Sequence, residues 1–526
     1  MTGIGSPTAS RRDPRTSRRE LLQRAAALGL GAPAALALGH SVRGITLAQD
    51  EQVPVIVLDG EPNNLDPIMS TSRVTFTVLD QVNGFLARYD EDFNVVPALA
   101  ESWEYIDDTS LRFHLRQGVK FHNGEEMTAE DVKFSIEAHL DPAQGSTIRA
   151  RLEAVDHVEV EDASTVVVRL KEPYAPLLDV LIDRVPILPR SVYSTPGAAK
   201  DAPVGCGPFK FDEWRKNSFI RLSKFEEYWE EGYPKTDGLQ FLFLAEYNAA
   251  KSSLLSKQSD ALLMLNLADV PAMEAQQGIV VDSVLLLGFW WVGLNVEREP
   301  FTDVRVRQAV KLAINRQEYL DYALAGRGAP AIVPIPKNSP FYSPELEYEQ
   351  NIDQAKQLLA EAGYADGLKI TLTVPKTPEE EPMGVVLQSQ LKQLGIEAEL
   401  EVLEVPAFIE RIFTNKDYTA MVCGATAGPD PAALLNTYYL SDSPNNVQNY
   451  KNEQVDELLR QASAVTDTAQ RQELYKQALT IAVDEAPMVW IAQAERTSAY
   501  WDYLSDFINL PTLRYEFWKL SFNRPK

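Results

Sequence analysis

Cysteine is nearly absent from this chain: 526 residues hold two, Cys206 and Cys423. They stand 217 positions apart, so no paired-cysteine spacing exists for a zinc ribbon or a thioredoxin-type motif, and two free thiols are expected. Histidine is almost as scarce. All five (His40, His114, His122, His139 and His157) precede residue 158, which leaves the remaining length without an imidazole ligand. Basic residues are outnumbered, with 50 Lys and Arg against 75 Asp and Glu, for a net charge of −25. That deficit offers no cationic face to nucleic acid or to anionic lipid. There is no repeat at solenoid period and no low-complexity tract beyond the N-terminus. Catalytic motifs are missing as well: no Gly-x-Ser-x-Gly elbow, no His-Glu-x-x-His, and no paired-glycine phosphate loop after a strand. "GCGPF" (205–209) has two glycines and runs into Pro208–Phe209, which reads as a tight turn. A secreted hydrolase stays open as an alternative class, but no residue nominates itself for catalysis.

What is present is an ordinary globular composition, 45% hydrophobic and 24% charged. The length suggests about three domains. The N-terminus reads as an export signal: "SRRELLQRAAALGLGAPAALALG" has Arg18–Arg19, then Leu21–Leu22, then an Ala/Leu/Gly run from Ala25 to Gly39. The apolar run is too short and too rich in glycine for a span, which needs roughly 20 residues. Arg-Arg before an apolar run looks like a twin-arginine signal. Cleavage is expected near Ala48, with the Gly39 region as the alternative, so residues 1–48 are assigned to the signal. No cysteine follows the apolar run, so no lipid-anchor cysteine is expected.

Residues 110–131, "SLRFHLRQGVKFHNGEEMTAED", carry two histidines and two glutamates and raise the question of a metal or acid–base site. Alternation answers it. Leu111, Phe113 and Leu115 face one way and Arg112, His114 and Arg116 the other, as on a half-buried strand. Asn123–Gly124 supplies a turn. Thr128 with Asp131 three residues on makes a capping-box-like start for a helix that puts Val132, Ile136 and Leu140 on one stripe. His114 and His122 therefore lie on the polar side of a strand and at its end, with no i, i+4 histidine pair to aim at one ion. The stretch reads as scaffold.

Further on, "LKITLTVP" (368–375), "MGVVLQSQLKQLG" (383–395) and "IEAELEV" (396–402) predict a strand, a helix and a parallel strand. "DVRVRQAVKLAINRQEYLDYALAG" predicts one long amphipathic helix stopped by Gly326. "NIDQAKQLLAEAG", "EQVDELLRQA" and "AQRQELYKQALTIAVDEAP" predict three more.

"VVPALAESWEYIDDTSLRFHLRQGVKFHNGEEMTAEDVKFSIE" (95–137) resembles the signature region of the peptide/nickel-type, family 5, extracellular solute-binding proteins of ABC transporters. "NNLDP" (63–67), "GCGPFKF" (205–211), "PFTDVRVRQAVKLAINR" (300–316), "AKQLLAEAGY" (355–364) and "YKQALTIAVDEAPMVWI" (475–491) follow in the family's order, so the resemblance spans the whole mature chain. It implies an α/β fold: a periplasmic-binding-protein type II-like two-lobe clamshell with an extra inserted α+β domain. Lobe I would comprise 49–90, 205–290 and 500–526, the inserted lobe II 91–204, and lobe III 291–499, with a hinge near 284–295 and 493–500. The implied role is non-enzymatic capture of a solute for membrane permease subunits, by a monomer without cofactor or nucleic-acid partner. A ligand sensor docking on a receptor kinase keeps the fold and changes the partner.

The resemblance also bears on the ligand. Peptide-binding members hold the α-amino group with an aspartate in a Trp-x-x-Asp stretch just before an acidic-residue–proline pair. With Asp430–Pro431 of "CGATAGPDPAALL" on that pair, Gly424 stands at the tryptophan and Ala427 at the aspartate, so both anchors are missing. In another register Asp430 substitutes. The arginine that dipeptide binders use for the carboxylate has no counterpart in "TPEEEPMG", and no lobe III histidine exists for a nickel ligand. A metal as direct ligand is not expected, while a chelate held by arginine and aromatic faces stays open. Trp290–Trp291, on a predicted strand at the lobe crossing, point to opposite faces, so one can reach the cleft while the other packs. Thr71, Ser72 and Arg73 offer polar contacts, and Thr426, Ala427 and Asp430 complete the candidate ligand site. An oligosaccharide or another neutral to cationic solute is the leading expectation, and a longer or modified peptide the next.

Overall fold

The computed structural model describes residues 52–91, 93–426 and 428–524. The expected export signal (1–48) and Ala427 lie outside the described residues. From Gln52 onward the chain forms one compact unit.

Its organising feature is a mixed eleven-stranded sheet with two long strands in the middle, Ile279–Leu294 and Met488–Trp501. They pair antiparallel from Ile279↔Trp501 to Gly293↔Met488, and the register shifts between Leu285 and Phe289. To one side Val55–Leu58 runs parallel to both Ala261–Leu262 and Gly238–Phe243. To the other side Leu368–Pro375 runs parallel to both Ile396–Leu403 and Ala420–Thr426. Each flank thus has a parallel unit that buries near-continuous apolar runs. Their cores are separate. Ile56, Leu58, Phe209, Phe241 and Phe517 pack together on the first flank. Val292, Leu372, Leu387 and Ile491 pack on one face of the second flank, and Phe289, Trp291, Tyr439 and Trp490 on its other face.

Residues 100–170 build a second, four-stranded antiparallel sheet in the order 100–107, 110–115, 165–170, 155–162. Leu111, Phe113, Val119, Phe121, Val132 and Ile136 fill its core. The alternation read from the sequence is the one found, with His114 exposed on the polar face. The Asp131 carboxylate accepts from the Thr128 N–H at 3.0 Å, as a capping box requires.

His122 turns out to be a clasp. Its Nε2 lies 3.0 Å from the Gly207 carbonyl and its Nδ1 accepts from the Gly205 N–H at 3.4 Å, so the ring is neutral with the proton on Nε2. Burial pushes its pKa down to about 4. The unfolded chain therefore binds a proton between pH 6.5 and 4 that the folded protein refuses, and stability is lost as pH falls through that window. His122 contributes a loss of about 2–3 kcal/mol between pH 7 and 4.5. Denaturant titrations at both pH values should show a smaller drop for His122→Gln than for the wild type; equal drops would contradict the assignment. Asp80, raised to about 6 by burial, works in the opposite direction but is common to both proteins.

The strand–helix–strand unit forms as predicted, with the helix at Glu380–Lys392 and parallel register from Leu368↔Ile396 to Pro375↔Leu403. The single long helix expected over 303–326 is instead two, Val304–Ala313 and Arg316–Ala323. Asn315 makes the break. Its side chain accepts from Gln317 N at 3.1 Å and Glu318 N at 3.4 Å, starting a new helix, while Gln390 Nε2 donates to the Asn315 carbonyl at 3.0 Å. A cap inside an amphipathic pattern overrode the periodicity.

Candidate functional site

Three cavities can be compared by what walls them. One of about 70 Å³ is enclosed by Asp80, Arg88, Arg514 and neighbours, with no contribution from 291–487. One of about 290 Å³ is walled by residues 289–350 and Gln493. A third, of about 250 Å³, lies between residues 89–179 on one side and residues 336–471 on the other, as a site gripped by two bodies requires.

One wall of this third cavity comes from a hairpin and a helix. Ala87–Tyr89 pairs with Val95–Pro97, which brings Tyr89, Phe93 and Val95 to the cavity. The helix Leu177–Arg184 is bracketed by Pro176 and Pro186. Leu177, Val180 and Leu181 bury into the core of the four-stranded sheet, Leu178 packs at its edge, and Leu178 and Asp179 line the cavity. The facing wall comes from Ser339, Pro340 and Phe341, from Pro429–Asp430, and from the first turn of helix Thr468–Glu485, which presents Thr468 and Arg471. Leu287 closes the floor, at the register shift of the long strands. There Gln493 Nε2 donates to the Leu286 carbonyl at 2.9 Å in place of the broken ladder. The walls touch directly, through a hydrogen bond from Ala175 N to the Ser463 carbonyl at 2.7 Å.

The charged groups are few. Asp430 and Arg471 form a buried pair: Arg471 Nη2 lies 2.8 Å from Asp430 Oδ1 and 2.7 Å from Oδ2. Arg471 also donates from Nε to the Ala462 carbonyl at 2.8 Å and from Nη2 to the Tyr475 hydroxyl at 2.7 Å, and its guanidinium covers the Phe341 ring at 5.0 Å. On the opposite wall the Tyr89 hydroxyl donates to Asp179 Oδ1. Removal from water, with Asp430 and Asp183 nearby, holds the Asp179 carboxyl well above the usual carboxylate range. Both thiols are free and buried, each pushed up to about 12 by burial, and take no part. Among the described residues no three His, Cys, Asp or Glu side chains converge on a point where an ion could sit.

Of the residues singled out from the sequence, Asp430 lines the cavity. Thr426 ends its strand exposed, paired with Gly288. Trp291 is fully buried among Phe289, Trp490 and Tyr439. Trp290 points to the other face and lies over Gly424 of the neighbouring strand, where an added β-carbon would sit 2.5 Å from the indole. Gly424 thus leaves room for a tryptophan supplied by the adjacent strand. Neither indole lines the cavity. Thr71 and Ser72 precede the helix Arg73–Val82, and Arg73 pairs with Asp59. These three are not brought to the cavity either. The reading of the sequence passed over Asp179, Tyr89, Phe341 and Arg471.

Residues 94–446 match the family model described as bacterial extracellular solute-binding proteins, family 5 Middle. The oligopeptide-binding protein AppA of Bacillus subtilis (strain 168) is 29% identical over 468 residues, covering 82% of this chain and 84% of that protein. Among solved structures, the PBP AgaA from A. tumefacien R10 in complex with agropinic acid superposes with a TM-score of 0.75 at 28% identity, covering 90% of this chain and 99% of that one. Bacillus subtilis AppA in complex with a nonapeptide superposes with a TM-score of 0.73 at 27% identity, covering 90% and 99%.

Proposed function

Since the chain belongs to the bacterial extracellular solute-binding proteins of family 5, binding components of ABC importers and not enzymes, we propose that its solute is an amine-bearing organic molecule of the peptide class, captured in the cavity of about 250 Å³ walled by Tyr89, Asp179, Phe341 and Asp430. The observation that carries the reading is that this cavity lies between the unit built on the four-stranded sheet and the second flank of the central sheet, with Leu287 of a long central strand on its floor. A solute touching both walls stabilises the closed arrangement by its differential affinity, which is the energetic requirement for a trap. The names of the relatives favour peptides: AppA holds a nonapeptide. AgaA, at similar identity, holds agropinic acid, so the solute class varies among such neighbours. The oligosaccharide expectation leaned on an indole face in the cleft. The rings on the cavity are instead Tyr89, Phe93, Tyr105 and Phe341, which shifts the preference to the cationic branch.

The separate apolar cores support boundaries at 49–90 with 205–290 and 500–526, at 91–204, and at 291–499, with Ile279–Leu294 and Met488–Trp501 as the hinge strands. Native mass spectrometry of the purified protein tests the reading. An adduct should be present and be displaced by peptides, and Ser339→Trp, which fills the cavity, should abolish it. An adduct that survives Ser339→Trp unchanged would place the solute elsewhere.

Family membership implies export, and no helix among the described residues is long and apolar enough to cross a membrane. For the route we favour the twin-arginine pathway, on the strength of Arg18–Arg19. Replacing the pair by Lys-Lys should leave the precursor inside the cell, read by fractionation; normal secretion would reject that route. A monomer is proposed, with permease subunits as partners.

A further inference from the structure

Taking the cavity between the four-stranded-sheet unit and the second flank as the solute site, the charges on its walls do not balance. Three lining side chains are charged: Asp179, Asp430 and Arg471. Arg471 is committed to Asp430, whose Oδ1 also accepts from Ala432 N at 2.9 Å, so that pair is self-contained. Asp179 has no Lys, Arg or His in ion-pair contact among the described residues. Its Oδ1 accepts from Tyr89, and its Oδ2 is turned to the opposite wall, 2.8 Å from where a β-carbon on Gly428 would stand. The missing side chain at Gly428 makes room for this carboxyl group to face Asp430 across the gap. A carboxyl group held out of water beside like charges is costly, and here its titration is displaced well upward. The rings of Tyr89, Phe93, Tyr105 and Phe341 surround the same space, and aromatic faces attract a cation.

We propose that Asp179 is the anchor for a protonated amine of the captured solute, supplied from the helix wall and completing an ion pair only when the solute is bound. The inference rests on the reading of this cavity as the solute site. It assigns the cationic end of the solute to the space between Asp179, Gly428 and the aromatic rings. It also removes Asp430 as the amine's partner, because Arg471 already neutralises it. The amine would bridge the two walls, so one ion pair would serve both affinity and closure.

The test uses the mature full-length protein, freed of co-purified solute, and two probes: a mixed tripeptide pool with free amines and the same pool N-acetylated. Calorimetry should show the wild type binding the free-amine pool about 30-fold or more tighter than the acetylated pool. Asp179→Asn, which keeps the shape and removes the charge, should lose that preference while binding the acetylated pool as the wild type does. It should melt no lower than the wild type, since it deletes a buried carboxyl group beside Asp430 and Asp183 that no cation among the described residues contacts, so the loss is separable from misfolding. An unchanged preference in Asp179→Asn overturns the proposal, as does a wild type that binds both pools equally or neither. Ser339→Trp separates the two levels. If it stops binding while Asp179→Asn keeps the free-amine preference, the cavity stands and the anchor falls. If it binds as the wild type does, the cavity reading itself falls.

Discussion

Replacing Arg471 by methionine should cost the folded protein about 3–5 kcal/mol of unfolding free energy, one of the two largest effects expected of a single substitution here. The guanidinium is 7% exposed and its partner Asp430 9%. Methionine leaves that carboxylate without a charge partner and frees the Ala462 carbonyl and the Tyr475 hydroxyl, which Arg471 now satisfies. It also removes the cation from above the Phe341 ring. Asp430→Asn alone leaves the opposite charge stranded. The double substitution Asp430→Asn/Arg471→Met should therefore recover part of the loss, giving a coupling of about 1–3 kcal/mol in the cycle. Chemical denaturation of the four proteins measures it. A single-mutant loss below about 1 kcal/mol would mean that water reaches the pair and that this wall is not closed.

Gly205→Ala should cost about 2–4 kcal/mol. The reason is proximity and not an unusual backbone angle. A β-carbon at 205 would lie 2.2 Å from the Val82 carbonyl oxygen and 2.6 Å from Asn83 Oδ1. Gly207 is as tightly placed, with Val82 C at 2.6 Å from its would-be β-carbon and its N–H donating to the Val82 carbonyl at 2.8 Å. The turn is gripped from the other side by His122. Neither the end of helix Arg73–Val82 nor the turn can retreat without breaking these bonds. Gly60→Ala is the control: the nearest atom to its β-carbon is Val74 Cγ2 at 3.9 Å, so the change should stay within about 0.5 kcal/mol. Equal stabilities for the two alanine variants, read by urea unfolding, would show that the turn is free to shift.

Both predictions concern features that periodicity alone conveys unevenly. Alternation over residues 111–116 and the Thr128–Asp131 cap are local, and the structure follows them closely. The parallel pairing of 368–375 with 396–403 was legible because a strand, a helix and a strand at that spacing have few alternatives. The break at Asn315 was not, because the stretch keeps a helical apolar pattern on both sides, and the contact with Gln390 that favours the bend comes from 75 positions away. The reading of "GCGPF" as a turn was right in kind, yet its partner, the end of a helix more than a hundred residues earlier, is set by the fold.

The site was less legible than the scaffold. The two tryptophans do point to opposite faces, as strand geometry requires, but Trp291 fills a core and Trp290 fills the space over Gly424. Asp179 occupies the non-core face of a short helix, where a carboxylate is ordinarily a solvated group. What makes it unusual is Gly428, far along the chain, and the neutralisation of Asp430 by Arg471. Both facts are tertiary. Sequence registers compare positions along one strand, whereas this cavity takes its charges from facing walls.

Small-angle scattering on the solute-free protein, titrated with the free-amine tripeptide pool and repeated on Ser339→Trp, most directly tests whether two hinged bodies close on a guest. The account predicts a smaller radius of gyration on adding the pool to the wild type and no change for the plugged variant. An unaltered radius in the wild type despite measured binding, or release of a chemically altered solute, would contradict it.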